Sequence, residues 1–202
     1  MAPILGCIAK GQGLQGWSED QWNELRATYY GMCMRVDDQF GQVLQALRDA
    51  NLYNDTAVFF LADHGDFAGD YGLVEKNQNT FQDCLTRVPL VIKPPSWLPL
   101  ARPKGTDNKP NVISNTMVEL IDFTETVYAM TNVVPDYDRF GHSLLPLITG
   151  QKTTNRDAVH CEGGRRAKER QAMELQSGGS SDTPGGAEPH GIGARVYAPR
   201  AS

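Results

Sequence analysis

The sequence predicts an α/β fold built in layers, in which helices cover both faces of a mainly parallel central sheet. Three observations predict it. An early segment has apolar residues at helical spacing, two later runs of strand length are almost entirely apolar, and a second helical segment follows them. A run that is apolar on both faces suits a strand that is covered on both faces. The order helix, strand, strand, helix is typical of an α/β layered domain.

Residues 1–17 are expected to be an irregular N-terminal segment, because Gly11, Gly13 and Gly16 interrupt it. Residues 4–9 are apolar, but no basic stretch precedes them as it would in a secretory signal. The compartment therefore cannot be read from this end of the chain.

The first helix is predicted to begin near Ser18, which suits an N-cap position and is followed by the acidic residues Glu19 and Asp20. Apolar residues then recur every three or four positions to about Asn51, which predicts one long helix lying on a core. The residues of this stripe are Trp22, Leu25, Tyr29, Met32, Val36, Phe40, Val43 and Leu47.

The two predicted strands are residues 57–62 and 88–92, and we expect them to share one mainly parallel sheet. A turn at Asn54 and Asp55 precedes the first strand, and a Pro- and Lys-containing loop follows the second. The second helix should contain residues 118–130, with Asn115 or Thr116 as its cap.

Charge and composition exclude several classes of protein. The 202 residues include 24 acidic and 19 basic ones, a formal net charge of −5, and they have no dense basic stripe for nucleic acid. The apolar runs are too short to span a membrane, so a soluble protein is expected. Residues 165–202 open with a basic segment and continue as a Gly-, Ser- and Pro-rich tail, which we expect to be disordered.

The strongest chemical signal is Asp63-His64-Gly65-Asp66, directly after the first predicted strand. The carboxyl end of a parallel strand is where α/β folds build their sites. An oxygen ligand beside an imidazole can hold a divalent cation, although Asp63 could equally cap the next segment of a simple turn.

Four segments together resemble the sulfatase branch of the alkaline phosphatase superfamily. They are residues 59–76, containing the Asp-His-Gly-Asp motif, and residues 87–93, 118–127 and 141–150. The resemblance covers about residues 29–164. It implies an incomplete alkaline phosphatase-like fold, with a partial sulfatase-like domain at 18–164, and an arylsulfatase-like hydrolysis of sulfuric esters.

By this resemblance Asp63 and His64 are metal ligands and Lys76 contacts the sulfate. Calcium is the metal that the family implies first and magnesium is possible, although histidine is less typical of calcium than oxygen is. Lys76 could instead be an ordinary surface lysine. The family implies a sulfate ester, a small molecule or a glycan, as substrate.

Other candidate ligands have simpler explanations. Asp37 and Asp38 lie in the middle of the first predicted helix, whereas the metal-binding Asp pair of sulfatases follows a strand, so a structural role is predicted. His142 and His160 could be extra ligands of a two-metal phosphatase, but surface or core positions are expected for both.

The sequence also departs from the family pattern. It has no C/S-x-P-x-R motif, whose Cys or Ser is modified to the formylglycine nucleophile in the family. Formylglycine therefore cannot form in this chain, and the chain alone is expected to be inactive. It is interpreted as a fragment, a truncated gene model or a decayed paralogue. A metal-dependent phosphoesterase and a non-catalytic sulfatase remnant remain the alternatives, and an uncovered sheet edge predicts possible self-association.

Overall fold

The computed structural model describes residues 3–76, 80–100, 113–163 and 193–197. Five α-helices and four strands occur in these ranges. The helices are α1 (Pro3–Gly11), α2 (Glu19–Asp49), α3 (Asp83–Thr86), α4 (Ile121–Thr131) and α5 (Leu145–Ile148). The strands are β1 (Val58–Leu61), β2 (Leu90–Lys93), β3 (Val159–Gly163) and β4 (Gly193–Tyr197), and a short 3-10 turn occupies Asp70–Gly72. Among the described residues, no helix combines the length and the apolarity that a membrane crossing requires.

Helix α2 confirms the long helix that the apolar spacing predicts. Ser18 is its N-cap: its hydroxyl accepts a hydrogen bond from the Gln21 backbone N–H (3.3 Å), and the Gln21 side chain accepts one from the Ser18 N–H (2.9 Å). This reciprocal pair satisfies two backbone donors that would otherwise lack partners at the start of a helix. The helix ends at Asp49, close to the predicted end.

One edge of the apolar stripe on α2 contacts the sheet. Phe40 packs against Phe60 of β1 with ring centroids 5.2 Å apart. Met32, Val36 and Val43 lie along the other edge of the stripe and are 52–58% exposed. The predicted packing of this helix on a core therefore holds along one edge only.

The two predicted strands do share a sheet, but their direction was predicted wrongly. Strands β1 and β2 are antiparallel, with Leu61 opposite Leu90 and Val58 opposite Lys93. The reason lies in the connection, where the Gly65 N–H donates to the Leu85 carbonyl over 2.8 Å. The chain thus returns to the end of the sheet where β1 stops, and β2 must run back beside it. Mixed sheets with an antiparallel edge are common among α/β folds.

Helices cover both faces of this small sheet, as predicted. Side chains of successive residues in a strand point to opposite faces. Phe60 contacts α2 on one face, and Phe59 contacts Phe123 of α4 on the other, with ring centroids 5.0 Å apart. The result is a helix–sheet–helix sandwich around β1.

The side chain of Lys93 ties the end of β2 to the turn after α2. Its ammonium donates to the backbone carbonyls of Tyr53, Asn54 and Thr56, at 3.5 Å for Asn54 and 2.9 Å for Thr56. It also lies 4.3 Å from the centroid of the Tyr53 ring, a cation–π distance. Three carbonyls and an aromatic face therefore share one positive charge.

Lys93→Met should remove this charge and leave the carbonyls without their donor. Because hydrogen bonds to charged groups contribute about 1.5–3 kcal/mol each, with losses that are not additive, we expect the free energy of unfolding to fall by about 2 kcal/mol. Urea unfolding followed by circular dichroism measures this change. Lys152→Met, at an exposed lysine, is the matched control and should change the stability by less than about 0.5 kcal/mol. Equal stability of the two variants would contradict the prediction.

The N-terminal segment is not irregular, contrary to the prediction for residues 1–17. Helix α1 occupies Pro3–Gly11, and its Leu5 is buried at 1% exposure. Leu5, Ile8 and Ala9 follow helical spacing and pack against a cluster formed by Phe67, Leu73 and Leu85. This packing stabilises a short helix that the glycines after it end.

Two further boundaries differ from the predictions. Helix α4 begins at Ile121, later than a cap at Asn115 or Thr116 would place it, because Met117 forms an extended β-bridge with Arg156. Strand β4 (Gly193–Tyr197) pairs antiparallel with β3. The prediction of a disordered tail is therefore wrong for these residues. Residues 164–192 and 198–202, where the rest of that prediction falls, lie outside the described residues.

Candidate functional site

Asp63 and His64 stand side by side just after β1, as the sequence predicts. The Asp63 carboxylate accepts a hydrogen bond from the His64 backbone N–H over 3.0 Å. The His64 Nδ1 lies 2.9 Å from the Gly65 carbonyl oxygen, and because a carbonyl can only accept, Nδ1 carries the proton. In the neutral imidazole the lone pair is then on Nε2, which lies 3.8 Å from Asp63 Oδ2.

This arrangement fits two ligands of one cation. Two atoms that each bind a cation at about 2.0–2.6 Å lie roughly 3–4 Å apart, which matches the Nε2 to Oδ2 distance. The backbone carbonyl that fixes the histidine tautomer is a common orienting partner of metal-binding histidines. Both side chains are accessible, at 88% exposure for Asp63 and 41% for His64. In the described ranges no third His, Cys, Asp or Glu completes a ligand cluster with them.

Gly65 holds this pair close to α3. Its N–H bonds to the Leu85 carbonyl, and a methyl group added at Gly65 would overlap the Cys84 carbonyl oxygen. Only a residue without a side chain allows the two backbones to approach this closely. The cluster of Phe67, Leu73 and Leu85 with Leu5 then fixes the loop from beneath.

A tight loop brings the backbone of Lys76 back to the side chain of Asp66. The Ala68 N–H bonds to the Val74 carbonyl and the Gly69 N–H to the Leu73 carbonyl, so the chain reverses within a few residues. The Lys76 backbone N–H then donates to Asp66 Oδ1 over 2.8 Å. Because Asp66 is two residues from His64, their Cα atoms lie within about 7 Å. The Lys76 side chain is exposed, and its approach to the Asp63–His64 pair stays a prediction.

The backbone of this loop is strained. Ala68 and Tyr71 adopt φ angles of 47° and 56°, in the left-handed region that residues other than glycine rarely occupy. Such conformations cost about 1–3 kcal/mol each and cluster at functional sites. Packing of Phe67 and Leu73 below the loop holds it in place.

Sequence reasoning missed a buried charge network centred on Asp122. This carboxylate is 0% exposed and accepts hydrogen bonds from the Arg156 side chain (2.6 and 3.1 Å), the Asn155 side chain (2.9 Å) and the His142 backbone N–H (2.7 Å). Arg156 also forms an ion pair with Glu119 (3.1 Å). The network joins α4 to segments around residues 142 and 156, so its role is structural.

The surroundings of Asp122 shift its acidity. Burial alone raises the pKa of a carboxyl, but the Arg156 hydrogen bonds and those from backbone N–H groups outweigh it and hold the Asp122 pKa below its usual value. The same contacts raise the pKa of Arg156. The sequence could have indicated that Asp122 is buried, because it and Thr126 are polar residues four positions apart on one face of a largely apolar helix, and both are buried.

The remaining candidates lie where the sequence predicts. Asp37 and Asp38 are exposed residues within α2, not at the end of a strand. His142 and His160 are exposed. The His160 backbone N–H donates to Glu119 and that of His142 to Asp122, so both residues belong to the structural network.

Comparison with known proteins identifies the family. The family model described as Sulfatase matches residues 10–133. Arylsulfatase K of Danio rerio is 33% identical over 133 residues, which cover 66% of this chain and 23% of that protein. The multifunctional alkaline phosphatase superfamily protein PehA of Trinickia caryophylli is 30% identical over 148 residues, 71% of this chain and 26% of that protein.

A solved structure agrees. The phosphonate monoester hydrolase of Agrobacterium radiobacter superposes with a TM-score of 0.64 at 29% identity, over 77% of this chain and 29% of that one. The chain belongs to the sulfatase family and has part of an alkaline phosphatase-like α/β fold. It spans about a quarter of the length of the curated relatives it matches.

Proposed function

We propose that this chain carries part of the site at which a sulfatase hydrolyses sulfuric esters. In this proposal Asp63 and His64 bind a divalent cation, calcium or magnesium, and Lys76 contacts the sulfate. The observation that carries the proposal is the separation of His64 Nε2 and Asp63 Oδ2, 3.8 Å, with the histidine tautomer fixed for binding. Family membership and the similarity to arylsulfatase K support sulfate esters as the substrate class.

In this proposal each residue has a separate role, set by its charge. A divalent cation at this position would supply positive charge to the non-bridging oxygens of the sulfate. Lys76 would add a second positive charge on a loop whose backbone is tied to Asp66. Asp63 would hold the cation, while the Gly65 carbonyl keeps the imidazole in the tautomer that leaves Nε2 free to bind. Two ligands make half a coordination shell, so weak binding is expected.

Titration calorimetry of the 202-residue chain with Ca²⁺ and Mg²⁺ tests the metal site. Asp63→Asn and His64→Ala should each weaken binding at least ~10-fold, equivalent to about 1.4 kcal/mol. Asp136→Asn and His160→Ala change exposed residues of the same types elsewhere and serve as matched controls. Cation binding that neither site variant changes would refute the ligand assignment.

The same preparations test the sulfate contact and the activity. Phenyl sulfate binding, followed by NMR, should weaken in Lys76→Ala and not in Lys152→Ala. Because the chain has no C/S-x-P-x-R nucleophile, 4-nitrophenyl sulfate should show no turnover above background with either metal. Turnover that disappears in Asp63→Ala would mean that another residue serves as the nucleophile.

A metal-dependent phosphoesterase is the second candidate. The observations that favour it are the similarities to PehA and to the phosphonate monoester hydrolase. Phenyl phosphonate in place of phenyl sulfate distinguishes the two classes. Tighter binding of the phosphonate, lost in Lys76→Ala, would favour the phosphoesterase.

A further inference from the structure

A small cavity lies between the first part of α2 and the loop after the Asp63–His64 pair. Its volume is about 200 Å³, and its polar lining consists of Arg26, Tyr29 and Tyr30 from the helix and Asp66 and Asp70 from the loop. Asp66 also accepts the Lys76 backbone hydrogen bond. The loop that carries the proposed sulfate site therefore forms one wall of this cavity.

Arg26 is held in place but keeps most of its donors available. Its guanidinium packs against the backbone of Gly69, where an added Cβ would lie 3.0 Å from Nη2. Gly69 has a φ of 102°, which permits this close approach. Within the described ranges its hydrogen bond goes to Asn23 Oδ1 (3.3 Å), and no carboxylate there forms an ion pair with it. A guanidinium has five N–H donors, so a ligand can be bound without breaking an ion pair.

The other walls limit the ligand that fits. Burial, then the charges of Cys33 and Asp66, raises the pKa of Tyr29, which places its phenol in the field of the loop carboxylate. Tyr29 and Tyr30 lie with ring centroids 6.4 Å apart and offer aromatic surface to a ring. The two carboxylates repel any anionic group in the cavity that does not contact Arg26, so the cavity itself suits at most one such group. A ring with one planar anionic group, directed at Arg26, suits this lining.

We propose that this cavity is the subsite for the leaving-group ring of the sulfate ester, and that Arg26 binds a carboxylate on that ring. The proposal rests on the proposed function, because the sulfate of the same molecule would lie toward Lys76. Arg26 is then a specificity-determining residue, which favours carboxylate-bearing sulfate esters over neutral ones. A guanidinium binds a carboxylate through two parallel hydrogen bonds, whereas an ammonium acts as a point charge.

A matched pair of probes tests this inference on the 202-residue chain with Ca²⁺ present. The probes are 4-sulfooxybenzoate and phenyl sulfate, and NMR titration measures both dissociation constants. We expect the carboxylate-bearing probe to bind roughly tenfold tighter, since one charge-assisted contact contributes on the order of that factor. Arg26→Ala should abolish this ratio, and Arg26→Lys should keep part of it.

Arg35→Ala is the control, because it removes an exposed arginine from the same helix outside the cavity, and it should leave the ratio unchanged. Circular dichroism confirms that each variant is folded. A ratio near one in the unmodified chain, a ratio that survives Arg26→Ala, or no binding of either probe would overturn the inference.

Lys76→Ala separates this inference from the proposed function. It should weaken the binding of both probes by the same factor, so that the ratio of their dissociation constants is preserved. If Arg26→Ala removes the preference while Lys76→Ala changes neither affinity, the subsite stands and the sulfate contact is wrong. The reverse result leaves the sulfate contact and rejects the subsite.

Discussion

Asp122→Asn should lower the free energy of unfolding by about 3–5 kcal/mol, the usual cost of removing one partner of a buried ion pair. The amide keeps the shape of the side chain but removes the charge that Arg156 faces at 2.6 Å. It also replaces one acceptor oxygen by an NH2 donor, which then faces other donors, either those of Arg156 or the backbone N–H groups of Glu119 and His142. Urea unfolding at neutral pH measures the loss.

The pH dependence gives this prediction a second readout. Because the Asp122 pKa is lowered in the folded chain, its contribution is fully present above the unfolded pKa of about 3.9 and is lost as the pH falls through the folded value. Stability of the unmodified chain should therefore fall in acid, and Asp122→Asn should flatten that part of the profile.

Asp136→Asn is the control for this experiment, since it removes an exposed carboxylate and should keep both the stability and the acid slope. An Asp122→Leu, Arg156→Met double variant removes both charges and should be more stable than Asp122→Asn. If Asp122→Asn matches the Asp136→Asn control at neutral and acid pH, the buried network does not stabilise the fold.

Gly65→Ala is expected to destabilise the chain by about 1–3 kcal/mol or more, the usual range for overpacking. The new methyl group would overlap the Cys84 carbonyl oxygen and lie 3.0 Å from its carbon, and both belong to backbone that cannot rotate away. Relief requires the loop and α3 to separate, which breaks the Gly65 to Leu85 hydrogen bond. The proposed cation binding at Asp63 and His64 should weaken with it.

Gly31→Ala provides the comparison for this variant. Gly31 lies within α2, where an added Cβ meets nothing within 4 Å. Alanine there should raise stability by roughly 0.8–1 kcal/mol through helix propensity. Thermal unfolding of both variants measures the effect. A Gly65→Ala chain as stable as the unmodified protein would show that the close backbone approach is absent in solution.

The helices and strands could be predicted where the signal is local. The stripe of α2 and its Ser18 cap are confirmed, because spacing and capping chemistry act within a few residues. The direction of β2 could not be predicted, because it depends on the contact between Gly65 and Leu85, which no periodicity encodes. Helix α1 was missed since its stability comes from packing of Leu5 against Phe67 and Leu73.

In the candidate site, too, the features set by neighbouring residues could be predicted and those set by distant contacts could not. Asp63 and His64 were predicted from their position after a strand; they lie there with Nε2 and Oδ2 3.8 Å apart, and their role as metal ligands stays a prediction. Asp122 was missed because its partner Arg156 is 34 residues away in the sequence. The return of Lys76 to Asp66 depends on a loop with left-handed residues, a conformation that residue types alone do not reveal.

The Asp122 network also affects how the part of the chain around it can unfold locally. To release the backbone N–H groups of His142 and Leu144, the bonds to Asp122 and Thr126 must break together, and with them the contacts of Arg156. This region therefore opens only in large cooperative steps. The loop from Asp66 to Lys76 is closed by its own backbone hydrogen bonds and by burial of Phe67 and Leu73 in the core cluster. Both the network and the loop are therefore held by buried contacts, and only the exposed side chains of Asp63 and His64 would have to adjust to bind the proposed cation.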